Sequence, residues 1–113
     1  VWNYHVWCEA WFTRTDRPAC GGWQASDATP QEQSSGIYQC GPAPVSAIKV
    51  DSGGNFDVDF VFAEVNPLVQ YWAMSPGFST PVYVGVSTND VGINISTKAK
   101  LSSQRDDITS NYK

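Results

Sequence analysis

The sequence predicts an α+β fold, rich in antiparallel strands and poor in helix. Three observations predict it. β-Branched and aromatic residues gather in short runs, turn-rich stretches of Gly, Pro, Ser and Asn separate those runs, and a helix start is signalled only near Pro44. At 113 residues the chain suits one domain. Its apolar fraction of 42% and aromatic fraction of 13% indicate a folded chain, not a disordered one.

Residues 2–12, within "VWNYHVWCEAWF", read as the first strand, because Trp, Tyr, Val and Phe favour a pleated surface. Alternation places His5, Trp7, Glu9 and Trp11 on one face, and Tyr4, Val6, Cys8 and Phe12 on the other. Both faces being apolar, an interior strand is expected. "TRTDRPACGG", residues 13–22, is a polar turn. "WQASDAT", residues 23–29, reads as a second strand returning antiparallel to the first. "TPQEQSSGIYQCGPAP" is expected to be loop, and "PAPVSAIK" to hold a short helix starting near Pro44. "DSGGNFDVD" reads as turn, with Asp51, Asp57 and Asp59 solvated. "FVFAEVN" (60–66), "LVQYWAM", "PVYVGVST" and "VGINISTK" read as further strands, and the tail "LSSQRDDITSNYK" as polar and exposed.

The first hairpin raises the question of chemistry. With its loop centred near residue 16, His5 falls roughly opposite Asp27, on the face shared by Trp23, Ala25 and Asp27. Opposed residues have Cβ atoms about 4.5–5.5 Å apart, within reach of a carboxylate–imidazole hydrogen bond. Such a pair is two thirds of a nucleophilic triad: the carboxylate fixes the ring's tautomer while the second nitrogen serves a nucleophile. Neighbouring tryptophans would wall the site and exclude water. The same pattern also suits a packed or surface histidine. Nor does patterning supply the nucleophile: Cys8 points away from His5, Cys20 lies in the loop, and Cys40 is 13 residues past Asp27.

Composition narrows the function classes. A net charge of −4 with no basic cluster argues against nucleic acid as a partner. The longest strongly apolar run, around "FVFAEV", is too short for a membrane span. Three cysteines without CxxC spacing, beside one histidine, argue against a thiolate metal site and suit reduced thiols in a cytosolic protein. The "NIS" triplet at Asn94 shifts that reading little. A chain opening on Val1 in mid-pattern is expected to be a piece of a longer one, located in the cytoplasm or secreted by a non-classical route.

Five blocks, "WNYHVWCEAWF", "GGWQASDATPQE", "GIYQCGPAPVSAIK", "FVFAEVN" and "DDITSNYK", resemble in this order the C-terminal half of the transglutaminase catalytic core. The resemblance runs from Trp2 to Lys113 and implies a papain-like fold with a Cys-His-Asp triad. His5 stands at the catalytic His and Asp27 at the catalytic Asp. Trp2 matches a tryptophan walling the substrate tunnel. The nucleophilic Cys of the family lies upstream, in a Gln-Cys-Trp context that these residues lack, so residues 1–113 are expected to be a partial core, inactive alone. Cys40 matches one half of an adjacent-cysteine pair found in some relatives; Gln39 replaces its neighbour.

The implied chemistry is protein crosslinking: acyl transfer from a glutamine carboxamide to a lysine amine through a Cys thioester, on protein substrates carrying reactive Gln and Lys. The resemblance also implies calcium as cofactor, with Asn66 as a ligand, a carbonyl near Thr88 on a looser alignment, and acidic ligands just past Lys113. Leu68 stands where many relatives carry Asp, and Asn66 with one carbonyl falls short of the roughly six to eight oxygens calcium takes. Two other readings share these residues: a structural homologue without the nucleophile, and a papain-like hydrolase or deamidase.

Overall fold

The computed structural model describes residues 3–50 and 55–113. Its centre is a three-stranded antiparallel sheet. Strand β1 (Cys8–Phe12) pairs with β2 (Gly22–Asp27) in the register Cys8↔Ser26, Glu9↔Ala25, Trp11↔Trp23. The expected hairpin is present, and Trp11 packs edge-on against Trp23 across it. Two expectations for the first strand are corrected. Residues 3–7 are irregular, and β1 lies at the edge of this sheet, with Trp11 exposed.

The segment expected to be loop after Asp27 holds three short strands. A ribbon of β3 (Gln33–Ser34) and β4 (Ile37–Tyr38) turns through Ser35 and Gly36, both at positive φ, as a tight two-residue hairpin requires. Strand β5 (Cys40–Pro44) then pairs with the free side of β2, giving the order β1-β2-β5. The β2–β5 register slips between Ala25 and Asp27. At that slip Gly41 has φ +97°, and a Cβ built there would lie 2.3 Å from the Ala25 carbonyl oxygen. Only glycine lets the two backbones approach so closely.

Helix α1 (Val45–Lys49) follows Pro44 as the sequence predicts. Helix α2 (Phe56–Val65) corrects the reading of "FVFAEVN" as a strand. Asn55 caps it, its side-chain oxygen accepting from the Asp57 and Val58 amides. Asp57 and Asp59 occupy its first turn, where carboxylates favour the positive end of the helix dipole, so both belong to a helix and not to a turn, Asp57 half-buried and Asp59 exposed as expected. Asp51 lies outside the described residues. Val58, Val61 and Val65 form the buried stripe, at helical spacing.

These valines pack with Ala25, Ala43 and Ile48 into the core. Beyond α2, strands β6 (Val69–Ala73) and β7 (Val82–Ser87) form an antiparallel ribbon, as expected. Only Ser96–Lys98 of "VGINISTK" is strand, β8, paired with β9 (Arg105–Asp107). Helix α3 (Thr109–Tyr112) brings Tyr112 to complete burial, against the expectation of an exposed tail. No described helix is long and apolar enough to cross a membrane.

Candidate active site

His5 and Asp27 meet. The imidazole Nε2 lies 2.6 Å from Asp27 Oδ2, with the carboxylate almost sealed from solvent and the ring mostly covered. The route to this contact differs from the sequence argument. Continuing the β1–β2 register by one residue past Cys8↔Ser26 puts Trp7, not His5, across from Asp27. His5 stands two residues further out, on irregular backbone, and its ring reaches back to the end of β2.

Asp27 is fixed by its surroundings. The register slip at Gly41 sits beside it, and such irregularities re-aim side chains at sheet ends. Its Oδ1 accepts from the Thr29 backbone amide at 2.9 Å, which closes an Asx turn, and its Oδ2 accepts also from Gln31 Nε2 at 3.0 Å. Burial pushes this carboxyl's pKa up, but the hydrogen bonds from His5 and Thr29 outweigh burial and hold it below the usual carboxylate value. Asp27 is therefore an anion, suited to accept from one ring nitrogen and to support an imidazolium.

A second carboxylate completes the group, and the sequence reading missed it. Glu64 Oε1, on α2, lies 3.7 Å from His5 Nε2 and accepts from Gln31 Nε2 at 2.7 Å. Burial raises its pKa above the ordinary value, reinforced by the Asp27 charge and opposed by the Gln31 hydrogen bond and by His5. Reading 60–66 as a strand hid Glu64. The Asn55 cap with the Val58, Val61, Val65 spacing was the signal for a helix that carries Glu64 beside its buried stripe.

The wall beside the ring is Trp7, whose ring centroid lies 6.1 Å from that of His5. Its indole N–H donates to Tyr112 Oη at 2.8 Å, and the Tyr112 hydroxyl donates to Glu9. A shallow apolar groove runs along Val6, Trp7, Cys8, Asp27, Thr29 and Pro30. Trp2 lies outside the described residues.

Cys8 is exposed, Cys20 half-buried and Cys40 buried. Burial, with the charges of Asp57, Glu64 and Asp27, pushes the Cys40 thiol up to about 12, which leaves it protonated and unreactive. Among the described residues, His5, Asp27 and Glu64 are a group whose ligand atoms lie within 4.8 Å of one another, as a metal site would need. An imidazole nitrogen does not suit calcium, which takes oxygen donors.

Asn66 caps the C-terminal end of α2, two residues past Glu64, and its Nδ2 donates to the Phe62 carbonyl. Thr88 is exposed in the bend after β7. Asn66 offers one side-chain oxygen and Leu68 none, so this donor set does not fit calcium by itself.

No protein-family model matches the chain. Curated relatives match along all of it. It is 51% identical over 115 residues to protein-glutamine gamma-glutamyltransferase E of Mus musculus, and 50% identical over 117 residues to protein-glutamine gamma-glutamyltransferase 5 of Homo sapiens. The chain spans 17% and 16% of those two proteins. The crystal structure of red sea bream transglutaminase superimposes with a TM-score of 0.78 at 42% identity, covering 98% of this chain and 17% of that one.

Proposed function

Because the chain belongs to the transglutaminase family, we propose that it forms part of the catalytic core of a calcium-dependent protein-crosslinking acyltransferase, with His5 as acid–base and Asp27 orienting it. The observation that carries this reading is the 2.6 Å contact between His5 Nε2 and a sealed, anionic Asp27. A carboxylate so placed holds the ring in one tautomer and assigns proton transfer to Nδ1.

The nucleophilic thiol comes from sequence outside these 113 residues. Paired with the imidazolium, it is a thiolate at neutral pH, well below the ordinary thiol value of about 8.5. The thiolate attacks a glutamine side-chain carboxamide, and the imidazolium gives its proton to the departing ammonia, leaving a thioester. A lysine amine of a second protein then attacks, neutral His5 takes its proton, and the thiolate leaves as the isopeptide bond forms. Water in place of the amine yields glutamate. Calcium would take Asn66 only together with oxygens from beyond this chain.

Replacing His5 by Ala in the intact enzyme tests the assignment. Amine incorporation into a glutamine-bearing protein is expected to fall roughly a thousandfold or more, because removing one triad member disables the unit. Incorporation at the wild-type rate would remove His5 from the mechanism.

A further inference from the structure

We propose that Gln31 is a positioning residue: its side-chain amide supports Asp27 and occupies Glu64, and so keeps Asp27 as the partner of the imidazole. The inference deepens the acid–base reading of His5 and rests on it.

Two acceptors lie near one ring nitrogen. His5 Nε2 is 2.6 Å from Asp27 Oδ2 and 3.7 Å from Glu64 Oε1. The two carboxylates come from different elements, β2 and α2. A ring turned toward Glu64 would carry Nδ1, the nitrogen assigned to proton transfer, out of its place.

Gln31 stands between the two. Its Nε2 donates to Asp27 Oδ2 at 3.0 Å and to Glu64 Oε1 at 2.7 Å. An amide nitrogen has two N–H donors, so it is the end of the side chain that suits a place between carboxylates. The oxygen it meets on each acid is the one that faces the ring nitrogen. Asp27 Oδ1 is held separately by the Thr29 amide at 2.9 Å. Without the Gln31 amide, Glu64 would lose a donor in a half-buried place, and the ring nitrogen 3.7 Å away would be drawn toward it. The same two hydrogen bonds tie the loop after β2 to α2, so a test must separate positioning from simple support of the fold.

Kinetics of the intact enzyme, with a glutamine-bearing protein and a primary amine, make that separation. Gln31→Met keeps length and volume but removes the donors. Its kcat for amine incorporation is expected to fall roughly tenfold or more, with KM for either substrate within about twofold of wild type. Gln31→Glu keeps the shape, removes the donors and adds a third carboxylate, and its kcat is expected to be lower still. Gln31→Lys returns an N–H donor to the same place and is expected to recover part of the loss. In a His5→Ala background, Gln31→Met is expected to cause no further fall, because it acts through the ring. The proposal is overturned by a folded Gln31→Met enzyme with wild-type kcat, by a Gln31→Lys enzyme no faster than Gln31→Met, or by an equal fall when His5 is already Ala. If Gln31→Met does not fold, Gln31→Lys and Gln31→Glu carry the same comparison, and equal rates overturn the proposal. Failure of the acid–base reading looks different, since it is a His5→Ala enzyme that works at full rate.

Discussion

Cys40 and the two acidic partners of His5 show how position decides the chemistry of a side chain. Asp27 and Cys40 both lie on the central sheet, paired in register across β2 and β5. One is held anionic by three donors, while the other is kept neutral by burial and by surrounding carboxylates. A thiol whose folded value is raised contributes stability that is complete below its unfolded value, 9.0, and is lost as pH rises toward about 12. Stability measured by urea unfolding is therefore expected to decline across that window, and Cys40→Ala is expected to flatten the decline. An equal decline in both chains would show that Cys40 is not its source. The pairing of His5 with Asp27 was legible in the sequence because both flank one turn, although the register was misjudged by a residue at the loop centre. Glu64 was not legible, since its approach depends on where α2 packs.

At the scale of elements, local signals competed and the stronger pattern misled. The run "FVFAEV" is β-branched and aromatic, which suits a strand, yet it forms helix because an Asn cap and two acidic residues open it and a valine stripe meets the core. Tertiary burial overrode intrinsic preference. The strand β5 was missed for a related reason: its Gly and Pro residues read as loop, but Gly41 is what allows the close passage beside Ala25. Gly41→Ala is expected to cost about 2–4 kcal/mol, from the positive φ and the backbone clash together. The midpoint of urea unfolding would report it. A loss below about 0.5 kcal/mol would mean that the two strands separate there without penalty.

At the scale of the whole molecule, two regions differ in cover. The sheet, α1 and α2 share one core, whereas the β6–β7 ribbon leaves Trp72, Val82, Tyr83, Val84 and Val86 about half-exposed or more. Apolar strand surface of this kind tends to associate. The 113-residue chain is expected to show a weight-average mass that rises with concentration in sedimentation equilibrium, and Val84→Lys on that ribbon is expected to reduce the rise. A monomer at all concentrations would show the ribbon to be harmless. Curated relatives are about six times longer than this chain, so what lies against the ribbon in them is a matter for those proteins. The clasp of Trp7 by Tyr112 has a different reach. Residues more than a hundred positions apart in sequence share one hydroxyl, and the indole it anchors is the neighbour of the His5 ring. A displacement of α3 would thus be transmitted through Tyr112 and Trp7 to the surroundings of the imidazole.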